Sequence, residues 1–74
     1  MDAELRHLVT MANDIARNLA AYDDAPVRVA DHMRRFWAPA MRQRLVAHAD
    51  SGGDELVETA LLGVRQLTEK TAAS

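Results

Sequence analysis

Residues 32–45 read His32-Met33-Arg34-Arg35-Phe36-Trp37-Ala38-Pro39-Ala40-Met41-Arg42-Gln43-Arg44-Leu45. The pair Ala38-Pro39 divides this stretch. A residue before proline is pushed out of the helical region of backbone space, whereas proline itself suits a first helical turn, where no N–H is needed. One helix therefore ends near Trp37 and another opens at Pro39, and the two meet at a corner. At about 100° per residue, Pro26, Ala30, Met33 and Trp37 share one face of the first of these helices, with Arg28, Asp31 and Arg35 on the other. Met41, Leu45 and Ala49 form the inner stripe of the second. The spacing predicts helices over 25–37 and 39–50.

Outward from this corner the pattern stays helical. Upstream, a helix over 3–22 puts Leu5, Leu8, Val9, Ala12, Ile15, Ala16 and Leu19 in one arc, opposite Arg6, Thr10, Asn13, Asp14 and Arg17. Asp23-Asp24-Ala25-Pro26 then stops one helix and starts the next, with either aspartate able to cap it. Downstream, Ser51-Gly52-Gly53-Asp54 is the clearest turn in the chain, and Asp54 is placed to cap a fourth helix over 55–70. That helix buries Leu56, Val57, Ala60, Leu61, Val64 and Leu67, and residues 71–74 are expected to fray. The reading is all-α: one domain over 1–74, a small compact bundle of three to four helices. Its core anchors are Ile15 and Leu19 in the first helix, Met33 and Trp37 in the second, Met41 and Leu45 in the third. The fourth supplies Leu56, Ala60, Val64 and Leu67.

Seventy-four residues allow no more than one domain. A chain this short buries roughly 60% of the surface its unfolded form exposes, which leaves stability marginal without a staple or a partner. There is no cysteine for a disulfide, and His7, His32 and His48 are too far apart for the i, i+4 pairing of a helical metal site. A partner protein is the expected source of support. The acidic start Met1-Asp2-Ala3-Glu4 is unlike a secretory signal, and no apolar run approaches the roughly 20 residues of a membrane span. The expected location is cytoplasmic, with no membrane contact.

No catalytic arrangement emerges. Ser51 and Ser74 have no histidine at an informative spacing, and no phosphate loop or metal motif occurs. Asp23-Asp24 and Asp54-Glu55 stand at predicted helix starts, where negative charge is stabilised by the helix dipole.

Charge distribution is more informative than the net value of −2. Residues 28–48 hold Arg28, Arg34, Arg35, Arg42 and Arg44 against the single acid Asp31, between two acidic segments. Arg28 and Arg35 fall on the outer face. Arg34 lies at the edge of an apolar arc, and Arg42 falls on the apolar side of its helix, between Val46 and Ala49. A guanidinium there either snorkels to water along its aliphatic stem or finds a carbonyl or a partner carboxylate. Phe36 and Trp37 cannot both sit mid-face, being adjacent: Trp37 aligns with the core, and Phe36 lies near the boundary with Val29 and reaches a second surface. Leu62 stands alone on an outer face beside Glu55, Glu58, Gln66 and Glu69.

This string resembles the delta subunit of the soluble, molybdenum-containing, NAD-dependent formate dehydrogenases. The resemblance begins at Met11-Ala12-Asn13 with Ile15 and is strongest in His32-Met33-Arg34-Arg35-Phe36-Trp37, then Pro39, Met41 and Arg42. It continues through Leu45, His48 and Gly52-Gly53 into the last helix. The family pattern is H-L-R-R-F-W-D-P-R-M-R, from which this chain departs at Met33, Ala38 and Ala40. Ala38 stands where the family has an aspartate cap, and Ala40 where it has an arginine. The resemblance implies a cofactor-free component concerned with assembly, stability or cofactor insertion. Its partners would be a large catalytic subunit holding molybdenum bis-pterin, with iron–sulfur clusters, and other subunits carrying FMN and NAD chemistry. The residues expected to meet the partner are His32, Arg34, Phe36, Pro39 and Arg42.

Two other classes fit the helices less well. A helix-turn-helix DNA reader would put proline in place of glycine at its turn and carry a negative overall charge, so nucleic acid is not the expected partner. A self-associating bundle would pair the first or last helix with its copy.

Overall fold

A computed structural model describes residues 1–73, with side chains through residue 68. Four helices occur in order: α1 (Ala3–Asn18), α2 (Ala25–Phe36), α3 (Pro39–Asp50) and α4 (Glu58–Ala73). Ser74 and the side chains of residues 69–73 lie outside the described residues, and with them the expected fraying of 71–74. Among the described residues there is no strand, and no helix is long and apolar enough to cross a membrane.

The helices share one core. Its largest fully buried side chains are Met33, Leu45, Val29 and Val64, and buried alanines at 12, 16, 30, 49 and 60 complete it. α2 packs most extensively on α4. Gly63 makes that possible: a β-carbon there would stand 2.7 Å from Val29 Cγ1 and 3.1 Å from the Pro26 carbonyl oxygen. Met33, Trp37, Leu45, Ala60, Val64 and Leu67 are buried, while Ile15, Leu19, Met41 and Leu56 pack partly buried against them.

Helix ends depart from expectation where turn geometry overrides periodicity. α1 stops at Asn18 rather than Tyr22, and the chain tightens into i→i−3 bonds from Ala20 to Arg17, Tyr22 to Leu19 and Ala25 to Tyr22. α4 starts at Glu58 rather than Glu55, because Gly52, Gly53 and Glu55 all have positive φ, which no right-handed helix accommodates. Leu56 and Val57 therefore precede the helix, and Asp54 is not its cap. The Asp54 carbonyl oxygen instead lies 2.8 Å from His48 Nε2, and since a carbonyl only accepts, that nitrogen carries the proton. Asp24 occupies the N-cap position of α2 without a side-chain cap bond. Its carboxylate accepts from Arg28 Nε at 2.7 Å instead. Asp2 does cap α1, accepting from the Leu5 N–H at 2.8 Å.

Asn13 is the clearest correction. Helical angle puts it on the outer face, yet it is only 8% exposed. The 53–57 loop covers that flank of α1. Asn13 Nδ2 donates to the Glu55 carbonyl at 2.8 Å, and Oδ1 accepts from the Val57 N–H at 2.9 Å. Both faces of the amide are used, so the buried polar group costs little.

Candidate protein-docking surface

The site grows from the α2–α3 corner. Ala38 is extended (φ −64°, ψ 148°), as a residue before proline must be, and Pro39 opens α3. Trp37 and Phe36 therefore diverge at the end of α2: Trp37 is 6% exposed and Phe36 70%. Val29, two turns earlier on the same line of the helix, is fully buried rather than at a boundary. α4, through Gly63, lies against Val29. A helix face is buried only where another element covers it, and Phe36 lies beyond that cover.

Phe36 is not isolated. Its ring centroid lies 4.8 Å from that of half-buried His32, tilted by 44°. Together with Leu19, Arg28, Asp31 and Arg35 the two rings line a shallow depression of about 190 Å³. Arg28 lies over the Tyr22 ring, 3.9 Å from its centroid, and is bonded to Asp24; Arg35 pairs with Asp31 at 3.3 Å. The hydrogen bond from Arg28 holds the Asp24 carboxyl below its ordinary range, and the same bond raises Arg28. These are solvent-exposed pairs, worth little to the fold.

The remaining arginines of the basic middle segment part company. Arg44 Nη1 donates to Glu4 at 2.6 Å, and its Nη2 pairs with Asp2, tying α3 to the start of α1. Arg44 is raised first by the Glu4 bond, then by Asp2. Asp2 is lowered first by the Leu5 N–H, then by Arg44. Arg34 and Arg42 are half-buried and, among the described residues, meet only main-chain oxygen: Arg34 Nη2 donates to the Gln66 carbonyl and Arg42 Nη1 to the Arg34 carbonyl, each at 3.3 Å. The latter carbonyl belongs to the last turn of α2, where cations are favoured by the helix dipole.

Of the five residues expected at the contact, His32 and Phe36 come together as a ring pair, and Arg42 reaches the main chain of Arg34 across the corner. Pro39 is exposed at the start of α3. Two participants were not legible in sequence. Leu19 was assigned to the core but also lines the depression, and Tyr22 was read as the end of a helix but lies 49% exposed beneath Arg28. Both belong to the 19–24 turn, whose tightening leaves no mark in hydrophobic spacing.

Among the described residues no group of three His, Asp or Glu side chains is placed to hold a metal ion, and no buried side-chain polar atom lacks a partner.

Neither the curated proteins nor the solved structures give a match to this chain. The model of one protein family does, over residues 7–64, a span holding α2, α3 and the glycine turn entire. With that span matched, the chain belongs to the family of the NADH-dependent formate dehydrogenase delta subunit, FdsD.

Proposed function

We propose that this delta subunit is a non-catalytic, cytoplasmic accessory component that binds the large catalytic subunit of formate dehydrogenase and supports its assembly, stability or cofactor insertion. In this reading the chain holds no cofactor. Molybdenum bis-pterin and iron–sulfur clusters reside in the large subunit, and FMN and NAD in other subunits.

One observation carries the binding role. Phe36 is 70% exposed at the end of a helix whose neighbouring Trp37 is already buried in the core. The fold does not need Phe36, and aromatic side chains beside arginine are the residues on which protein interfaces depend most. Contact with a partner also fits a chain too short to bury a large core.

The test is a strain lacking this chain, complemented with a tagged copy. Co-purification of the large subunit, and formate-dependent NAD reduction that depends on the copy, are the expected results. A tagged chain that elutes alone, with full enzyme activity in its absence, contradicts the reading.

A further inference from the structure

We propose that the α2–α3 corner receives acidic side chains of the large subunit, with Arg34 and Arg42 as the receiving groups. This rests on the reading of the chain as bound to that subunit. It goes further in naming the chemistry of the partner surface.

The arginines of the folded chain are unevenly compensated. Arg17, Arg28, Arg35 and Arg44 each pair with carboxylates of the chain itself. Arg6 and Arg65 are exposed, where water solvates them. Arg34 and Arg42 alone are half-buried with no carboxylate beside them among the described residues. A guanidinium carries five N–H donors, and among the described residues each of these two makes one hydrogen bond, 3.3 Å long, to a main-chain carbonyl. The Arg34 carbonyl, in the last turn of α2, and the Gln66 carbonyl, within α4, each offer only partial negative charge. Among the described residues, two partly desolvated cations thus have no carboxylate beside them, Arg42 across the α2–α3 corner and Arg34 against α4, with Pro39 and Ala40 exposed at the start of α3.

Both side chains are half-buried and already bonded to a carbonyl, so less side-chain entropy is lost when a carboxylate arrives than for a free surface arginine. Arginine binds carboxylates through paired donors, which lysine does not reproduce. The occupant that fits is a protein segment bearing Asp or Glu, docked over the corner.

The experiment uses the full chain and the delta-free enzyme complex, with affinity measured at low and high salt. Arg34→Met and Arg42→Met keep the aliphatic stem and remove the charge. Each is expected to weaken binding by about tenfold or more and to flatten its salt dependence. Arg6→Ala and Arg17→Ala, exposed on α1 and lining neither the depression nor the corner, are expected to stay within about twofold.

A second pair of variants does not depend on affinity. Arg34→Lys and Arg42→Lys add amines to a chain with one native lysine, Lys70. Carbodiimide treatment of the complex should then couple position 34 or 42 to Asp or Glu of the large subunit, located by mass spectrometry. Should the Met variants fail to fold, this coupling decides. Wild-type-like affinity of both Met variants, absence of coupling at both positions, or equal losses across all four arginines would overturn the inference. Failure of the wild-type chain itself to bind would instead overturn the subunit reading beneath it.

Discussion

Gly63 faces Val29 so closely that a β-carbon on the glycine would lie 2.7 Å from Val29 Cγ1 and 2.9 Å from Val29 Cβ. This approach joins α2 to α4, and α2 in turn presents the Phe36 surface.

Gly63→Ala sets two effects against each other. Alanine in a helix interior gains about 1 kcal/mol over glycine in intrinsic propensity. Against that, the added methyl group meets a branched side chain and the Pro26 main chain, and overpacking of this kind costs about 1–3 kcal/mol. The main-chain contact leaves little room to yield, so net destabilisation is expected. Thermal unfolding checks it, and the double variant Gly63→Ala with Val29→Ala should recover part of the loss. A higher melting temperature in Gly63→Ala would mean that the helices separate freely.

Asn13→Ala strands the Val57 N–H and the Glu55 carbonyl in a part-buried loop. Leaving buried polar groups unpaired costs about 1–3 kcal/mol each, reduced here by partial access of water. A lower denaturant midpoint with an unchanged slope is the expected result. Hydrogen exchange at the Val57 amide should accelerate more than exchange in α2.

Much of this architecture is legible in the sequence, and the limits are physical. Ala38-Pro39 and the apolar spacing locate α2 and α3, and Trp37 falls in the core on angle alone. Helical angle alone misplaces Asn13, because it describes one helix, whereas burial depends on what lies against it. Glu55 defeats the reading of α4 for a different reason. At φ +68° it follows Gly53 into the left-handed region, which sequence assigns to glycine before glutamate. Helical angle puts Arg34 at the edge of an apolar arc and Arg42 on the apolar side of its helix, and both are half-buried, but their bonds to carbonyls 32 and 8 residues away require the fold.

Acid should loosen the link between the N-terminus and α3. Asp2 has its pKa lowered from the ordinary 3.8 by the Leu5 N–H and then by Arg44. A lowered carboxylate contributes stability that is present above its unfolded value and lost as pH falls through the folded one. Asp24, lowered by Arg28, acts in the same direction. Melting temperature should therefore decline as pH falls below about 4. In Asp2→Asn the decline should be shallower. An identical acid limb in the variant would show that Asp2 carries none of this dependence.

Phe36 and Trp37 provide the sharpest contrast in the chain, adjacent residues with opposite surroundings. Trp37→Ala empties a core site and should cost about 3–5 kcal/mol, enough to threaten a domain of this size. Phe36→Ala should leave thermal unfolding nearly unchanged, because the ring is 70% exposed. The decisive measurement is the affinity of the Phe36→Ala chain for the delta-free enzyme complex, with unfolding of the free chain measured alongside. A loss of about 2 kcal/mol in binding, roughly thirtyfold, with an unaltered melting curve is the predicted result. Wild-type affinity in Phe36→Ala would contradict the assignment of this face as the docking surface.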